Sequence, residues 1–467
     1  MVFGFSKGIQ NRKKASIIYF VNHSNCISEN RIKNIQNKNL HLIQTKHRHD
    51  TFETISKIED HRNPILFSLK ASDAYKRFQH KIIHINWKAL DMTYKELDAK
   101  YFMPCFGRSM QIVKGEGCTV FDDEGKSYLD LVAGIAVCST GHCHPKVVEA
   151  ICSQAQKLIH CSNLYYVEGQ AEFAEKLSKA SGMGKVFFGN SGAEANEAAM
   201  KLARVRSGRK NFVSFTHDFH GRTIGSLAVT HKPAIREPFE PLGTPCSFAE
   251  YGDLEGLKNL VNKDTAAVIL EPIQGETGVI IPDDDFLPGV RDICDDTGAF
   301  MIVDEVQTGM GRTGEWFAFQ HSKVQPDIIS IAKGIASGFP MGAIVAREGL
   351  EFTRSEHGST FAGGPVACAA GLATYNVIES VLPEVSRKGE LFREGLARFN
   401  PRVRGLMIGF TIGDRAAELA AECQNNGVLI NVAADGNIRL VPPLIISDEE
   451  IARAVEVINE AADTLGI

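Results

Sequence analysis

The chain has 467 residues, 44% of them apolar and 23% charged, which suffices for about two or three packed cores without help from disulfides or metals. A formal net charge of −5 argues against nonspecific nucleic-acid binding as the main role. The eleven cysteines stand singly, from Cys26 to Cys423, with no C-x-x-C pair, and an odd set of scattered thiols reads as a reducing compartment.

Composition changes sharply near Met92. Residues 1–91 hold 2 of the 42 glycines and 7 of the 15 histidines, with 16 Lys and Arg against 7 acids; the remaining 376 residues carry 35 against 49. This segment reads as an atypical N-terminal extension, or as an upstream stretch read from a misplaced start with Met92 as the initiator. Lys13 and Lys14, with no acid before Glu29, also suit a targeting peptide, but the later acids and the lack of an Arg/Ser amphipathic helix weaken that reading.

Residues 114–130 read as a β-meander, with strands at 118–121 and 127–131 around the turn 122–125. A helix is expected after His144, with Pro145 in its first turn and Val147, Ile151, Ala155 and Leu158 on one face. Short apolar runs at 185–188, 211–215, 266–270, 299–303, 327–331 and 341–345 follow, mostly separated by helical patterns. They predict a largely parallel sheet covered on both faces. The longest uncharged run, 358–378, holds Ser359, Thr360, Pro365 and Asn376, so it reads as a loop entering a tightly packed helix and not as a membrane span. Near the C-terminus, 427–432 and 437–441 are expected to pair. A last helix opens with a capping box, Ser447 to Glu450, and carries the stripe Ile451, Val455, Ile458, Ala462 and Leu465. The fold class is therefore α/β, a large domain over 146–360 flanked by a smaller α+β domain drawn from 92–145 and 361–467.

Ligands of parallel sheets collect at the carboxyl ends of strands, and three such ends carry chemistry. After 185–188, Ser191 and Glu194 can box a helix over 195–203, leaving the N–H groups of Ser191, Gly192 and Ala193 to cradle an anion. Asp304 and Glu305 close the strand 299–303, where a buried carboxylate demands a cation or donors. Lys333 closes 327–331, where desolvation would expose a nucleophilic amine for Schiff-base chemistry. Read singly, these are a capped helix, a structural ion pair and a snorkelling lysine. Together they fit pyridoxal 5′-phosphate, with its phosphate on the helix end, its ring nitrogen on Asp304 and an imine to Lys333. Gly309, Gly311 and Gly314 match G-x-G-x-x-G, the mark of a nicotinamide dehydrogenase, but 304–308 intervene after the strand, so the stretch reads as a flexible loop. Cys138 and Cys143 flank His142 without zinc spacing, which favours a structural turn over a metal site.

From Met92 onward the chain resembles the class III, fold-type I aminotransferases. The stretches that carry the resemblance are GHCHP (141–145), GNSGAEANEAAMKLAR (189–204), FHGRT (219–223), EPIQGE (271–276), DEVQTGMGRTG (304–314), AKG (332–334) and GSTFAGGP (358–365). The resemblance implies that Ser191, Gly192 and Ala193 bind the cofactor phosphate, that Phe219 stacks on the pyridine, and that Asp304, Glu305, Val306 and Gln307 line the ring. It implies that Lys333 is anchor and general acid/base. Thr360 would reach the cofactor of a neighbouring subunit in a homodimer, with Ser359 near the substrate. Arg222 would hold the distal carboxylate of 2-oxoglutarate and the acylated end of the donor. Arg439 would hold the α-carboxylate of glutamate, and Glu276 would gate Arg439 when an ornithine-type donor is bound.

Within the family the chain is most similar to members that move the terminal amine of N2-acetylornithine to 2-oxoglutarate in arginine biosynthesis. That implies a cytoplasmic enzyme without nucleic-acid or membrane partners. N-succinyl-diaminopimelate, ornithine, acylated lysine and 4-aminobutyrate are alternative donors. Cys138 and Gly364 stand where these members usually have Asn, and the loop tyrosine of plain ornithine enzymes is absent. A catalytically dead interaction protein is a third alternative, against which intact Asp304 and Lys333 speak.

Overall fold

The computed structural model describes residues 93–467, with the backbone of three strands upstream. These are β1 (His41–Lys46), β2 (Phe52–Ile58) and β3 (Ile65–Phe67), paired antiparallel in that order. The reading of residues 1–91 otherwise falls outside the described residues. The chain divides into two compact units, Met1–Gly107 and Arg108–Ile467. In the first, α1 (Tyr94–Tyr101) is opened by a capping box between Thr93 and Glu96.

The second unit begins with the expected meander, β4 (Ile112–Glu116), β5 (Thr119–Asp122) and β6 (Ser127–Asp130). Next come α2 (Pro145–Lys157), with His144 as its N-cap, and α3 (Gln170–Ser181). The central sheet is built from β7 (Val186–Gly189), β8 (Asn211–Phe215), β9 (Cys246–Ala249), β10 (Thr265–Leu270), β11 (Phe300–Asp304), β12 (Ile328–Ile331) and β13 (Gly342–Ala346), in the order β7-β13-β12-β11-β10-β8-β9. From β12 through β9 every neighbouring pair is parallel. β13 runs antiparallel to both β12 and β7. The uniformly apolar 342–346 gives no hint of direction, and β9, with Cys246 and Phe248 only partly covered at the sheet edge, has too weak a pattern to be legible.

All residues of β10, β12 and β13 are buried, as continuous apolar runs between two helical layers require. On one face lies α4 (Gly192–Ser207), whose Ala195, Ala198, Ala199, Met200, Leu202 and Ala203 pack on Ile269, Ile302, Ile328 and Ile344. On the other, α5 (Phe286–Thr297) places Phe286, Val290 and Cys294 against Val268, Met301 and Val303.

The uncharged run becomes a loop and then α6 (Pro365–Gly395), which packs along α2. Among the described residues it alone is long and apolar enough to cross a membrane, yet 56% of its apolar window is buried inside the protein. A second sheet holds β14 (Arg402–Arg404), β15 (Met407–Thr411), β17 (Asn431–Val432) and β18 (Asn437–Leu440). The expected strand at 427–432 is divided. Its second half, β17, pairs antiparallel with β18 as read. Its first half, β16 (Val428–Leu429), joins β6 in parallel and completes the meander sheet. Preceding it is α7 (Ala416–Asn425), and the chain closes with α8 (Asp448–Leu465). At its start Ser447 Oγ accepts from Glu450 N at 3.1 Å and Glu450 returns a bond to Ser447 N at 2.8 Å; Ile451, Ile458 and Ala462 are buried on its inner face.

The glycine-rich stretch 309–314 is not a flexible loop. Residues 309–313 are all buried, Gly314 is half-buried, and Arg312 is 1% exposed. Its Nη1 donates to Leu406 O at 2.9 Å and Pro442 O at 2.6 Å, tying the turn after β11 to the C-terminal sheet. Burial pushes the guanidinium down to about 9. Replacing Arg312 by Met would strip two buried carbonyls of their donor, at a cost of about 1–3 kcal/mol each. Chemical denaturation should show a fall in stability of about 2–5 kcal/mol; an unchanged midpoint would mean that the tie carries no stability.

Candidate active site

Parallel β11 and β12 set the geometry. Their register pairs Asp304 with Ser330, so Lys333, three residues beyond Ser330, leaves the same sheet edge as Asp304. The chain turns abruptly there: Lys333 has φ 42°, in the left-handed region that is strained for a side-chain-bearing residue. Its ammonium has no hydrogen-bonded or ion-paired partner among the described residues. Burial first, and then Arg439, hold the amine below the usual lysine range; Glu271, Glu276 and Asp304 oppose that shift. Those charges act on the amine from one neighbourhood.

Asp304 is 3% exposed. Its Oδ1 accepts from Val306 N at 2.9 Å, and its Oδ2 from Asn196 Nδ2 at 2.7 Å and His220 Nδ1 at 2.8 Å. A carboxylate has about four acceptor sites, so this one is fixed in place with capacity for a further donor.

The helix over 195–203 begins earlier than its sequence pattern, at Gly192, with Ser191 as N-cap. The expected capping box closes only halfway. Ser191 Oγ accepts from Glu194 N at 3.2 Å, but the Glu194 carboxylate reaches one residue further back, to Asn190 N at 3.0 Å and Asn190 Nδ2 at 2.8 Å. The first N–H groups of the helix, on Gly192 and Ala193, have no intrahelical acceptor. A Cβ on Gly192 would stand 2.8 Å from Val306 Cγ1, so only glycine lets the residue after Glu305 lie against the helix end. The arrangement is an open anion cradle beside Asp304.

A second cluster surrounds Arg439 on β18, which is 2% exposed. Its Nη1 donates to Gly275 O at 2.9 Å, Glu276 Oε1 at 3.1 Å and Gln307 Oε1 at 3.2 Å, and Asn431 Oδ1 accepts from Nε and Nη2 at 3.1 and 2.8 Å. Burial acts to raise the Glu276 carboxyl, but Arg439 and Lys333 outweigh it and hold the group below the usual range. Glu276 and Arg439 are thus placed together, and Gln307, expected at the cofactor's phenolic oxygen, also contacts Arg439.

Other expected residues are placed less tightly. Phe219 is half-buried and fixed by Glu271, whose Oε1 accepts from Phe219 N at 2.9 Å. Arg222 is exposed, its guanidinium 5.9 Å from the Phe219 ring centre. Ser359 Oγ accepts from Asn190 Nδ2 at 3.3 Å, at the helix cradle, while Thr360 faces outward. Glu305 departs from the expectation that it lines the cofactor ring. It is fully buried, and its carboxylate accepts from Thr308 Oγ1 and Phe319 N, which fastens the turn after β11. Burial pushes it up to about 7. Its neighbour Asp304 points the opposite way because successive residues at a strand end alternate faces.

Sequence reasoning missed Asn196, Asp218, His220, Glu271 and Asn431. Asn196 and His220 lie inside stretches already singled out, and their signal was a polar residue one turn into an apolar helix face and one beside the expected stacking ring. The turn at 138–144 is held by His142, whose Nε2 meets Asp130 Oδ2 at 2.8 Å. Among the described residues no group of three or more His, Cys, Asp or Glu converges as a metal site. Gly309, Gly311 and Gly314, packed in the turn around Arg312, do not open a helix as a dinucleotide loop would.

Known proteins converge on the same description. The class-III aminotransferase family profile matches residues 106–462. An acetylornithine aminotransferase from Methanosarcina mazei is 52% identical over 374 residues, 78% of this chain and 95% of that protein. One from Archaeoglobus fulgidus is 49% identical over 373 residues, 78% and 99% of the two chains. Among solved structures, an acetylornithine aminotransferase from Elizabethkingia anophelis superimposes with a TM-score of 0.72 at 33% identity, covering 79% of this chain and 98% of that one. An ornithine aminotransferase from Toxoplasma gondii gives 0.77 at 30% identity, covering 81% and 97%. The chain belongs to the class-III aminotransferases.

Proposed function

We propose that the protein is a pyridoxal 5′-phosphate-dependent aminotransferase that moves the terminal amine of N2-acetylornithine to 2-oxoglutarate, giving N-acetylglutamate 5-semialdehyde and glutamate. The observation that carries the reaction type is the free Lys333 amine sharing one sheet edge with Asp304 and with the open end of α4. These residues fit the cofactor: the Gly192 and Ala193 N–H groups suit a phosphate, unsaturated Asp304 suits a protonated ring nitrogen, and Phe219 offers a ring face. When bound, the cofactor supplies an electron sink for the bond being broken at the amine-bearing carbon. The protein's part is to hold and move charge. Lys333, depressed by burial and by Arg439, offers an amine that would hold the cofactor and would take and return a proton at the donor's amine-bearing carbon. Asp304 keeps the ring nitrogen protonated.

The substrate reading rests on the relatives and on the Arg439–Glu276 pair. An ornithine-type donor enters amine first and brings no α-carboxylate to Arg439, so Glu276 at 3.1 Å neutralises the guanidinium in that half-reaction. Glutamate and 2-oxoglutarate bring an α-carboxylate that takes the place of Glu276 through a two-point contact. Arg222, exposed beside Phe219, is our candidate for the distal carboxylate and the acylated end. The Glu276→Gln substitution should raise KM for the acylated donor about tenfold, equivalent to about 1.4 kcal/mol, while leaving glutamate within a factor of three. Equal effects on both would sink the gate.

We further propose a cytoplasmic homodimer with shared sites. Leu164, Tyr165, Tyr166 and Phe361 are at least two-thirds exposed, and Asn163 Nδ2 ties their loop to Ser359 O and Ala362 O. An apolar patch of this kind beside Thr360 suits a second copy of the chain. The deciding experiment is an amino-donor screen with 2-oxoglutarate. N2-acetylornithine should give the highest kcat/KM, and a clear preference for 4-aminobutyrate or unacylated ornithine would overturn the substrate assignment.

A further inference from the structure

From Asp304 runs a buried chain of polar side chains to which the reaction outlined above assigns no part. His220 Nδ1 stands 2.8 Å from Asp304 Oδ2, and its Nε2 stands 3.4 Å from Asp218 Oδ2. The three residues are at most 3% exposed. Asp218 Oδ1 accepts from Gln274 Nε2 at 2.8 Å and its Oδ2 from Glu271 N at 3.3 Å. His220 N donates to Thr230 Oγ1 at 2.9 Å, and Asn196 Nδ2 donates to both His220 O and Asp304 Oδ2 at 2.7 Å. The imidazole is thus held at Nδ1 by Asp304, while its buried Nε2 faces Asp218 at ion-pair distance without a hydrogen bond.

Two buried carboxylates so close cannot both be charged without a cation between them, and among the described residues His220 is the only basic side chain that touches either. Burial disfavours its charged form, but the two aspartates outweigh burial and raise it to about 10. Burial, and then Asp218 and Asp304, raise the Glu271 carboxyl to about 8; burial first, and then Asp218 and Glu271, raise the Tyr251 hydroxyl well above its ordinary range. Lys333, at the same sheet edge as Asp304, has its charge disfavoured by burial.

We propose that His220, backed by Asp218, is a positioning residue that keeps Asp304 ionised and aimed, and so fixes the proton on the cofactor's ring nitrogen. This rests on the cofactor reading above. No bond is made or broken in the triad; its protons stay where they are through the reaction.

The test uses holoenzyme loaded with cofactor carrying ¹⁵N in the ring, whose chemical shift reports protonation of that nitrogen. Three variants are compared with the parent. In His220→Asn the amide Nδ2 can take the place of Nδ1–H on Asp304 but carries no charge. In Asp218→Asn the Asp304–His220 contact remains and the far counter-charge is lost. Asp304→Asn removes the direct partner. The expected result is that both relay variants move the ¹⁵N shift toward the unprotonated range at pH 8 and lower kcat by about 10- to 100-fold, with KM for both substrates within a factor of three. A purely structural tie would leave the nitrogen signal in place, and that outcome overturns the proposal. If His220→Asn does not fold, the isosteric Asp218→Asn decides between the same two outcomes. If Asp304→Asn moves the signal and neither relay variant does, the relay fails and the cofactor reading stands. If even Asp304→Asn leaves it unmoved, the cofactor reading itself fails.

Discussion

Alanine at position 333 is expected to lower turnover by about 10⁴-fold or more. The side chain has two duties that no neighbour can assume. On the proposed reaction it would supply the nucleophilic amine and move the proton at the amine-bearing carbon. Among the charges acting on it, Arg439 is committed to Gly275 O, Glu276 and Gln307, Glu276 is held below the usual carboxylate range by Arg439, and Glu271 is spent on the N–H groups of Phe219 and Gly275. Folding should be little affected. The lysine makes no hydrogen bond or ion pair among the described residues, and its left-handed backbone with φ 42° is strained for alanine as for lysine. Steady-state assay with N2-acetylornithine, alongside thermal unfolding of the apoprotein, separates the two effects. Activity within tenfold of the parent would remove Lys333 from the chemistry.

The Asp304→Asn substitution is expected to cost about 10²- to 10³-fold in kcat, the scale of losing one preorganised electrostatic partner in a water-excluded site. The amide is isosteric, and one of its atoms can still accept from Asn196 Nδ2 or His220 Nδ1, so packing survives. What it cannot do is stabilise a proton on a heteroaromatic nitrogen, and its NH₂ group would meet a donor where an acceptor is needed. The loss should appear in kcat with both amino donors equally, because Asp304 serves both half-reactions. A change confined to KM of one donor would mean that Asp304 binds substrate instead.

Most of the sheet is legible in the sequence because its strands are buried on both faces and read as unbroken apolar runs such as 266–270. The exceptions have physical causes. The antiparallel β13 is as apolar as its parallel neighbours, so its direction is set by connectivity alone. The stretch 427–432 looks like one strand, but Ile430 marks a change of partner, and its two halves serve different sheets. The glycine-rich turn looks mobile because the fully buried Arg312 reads as a surface residue. In the candidate site, Glu276 and Arg439 are legible only through the family resemblance, whereas Lys333 and Asp304 stand out because a charge at the end of an apolar run needs a reason. Glu305 carries the same signal, yet it faces the other side and fastens a turn. The supporting shell of Asn196, His220, Asp218 and Glu271 stayed hidden, since its members matter only through what they touch, and those contacts join segments up to 108 residues apart.

The central claim is that Lys333 is the amine that holds the cofactor, and peptide mapping tests it most directly. Holoenzyme reduced with borohydride and digested should carry a stable cofactor adduct on the peptide containing Lys333. An adduct on any other lysine, or a protein that retains cofactor with no adduct at all, would contradict the account.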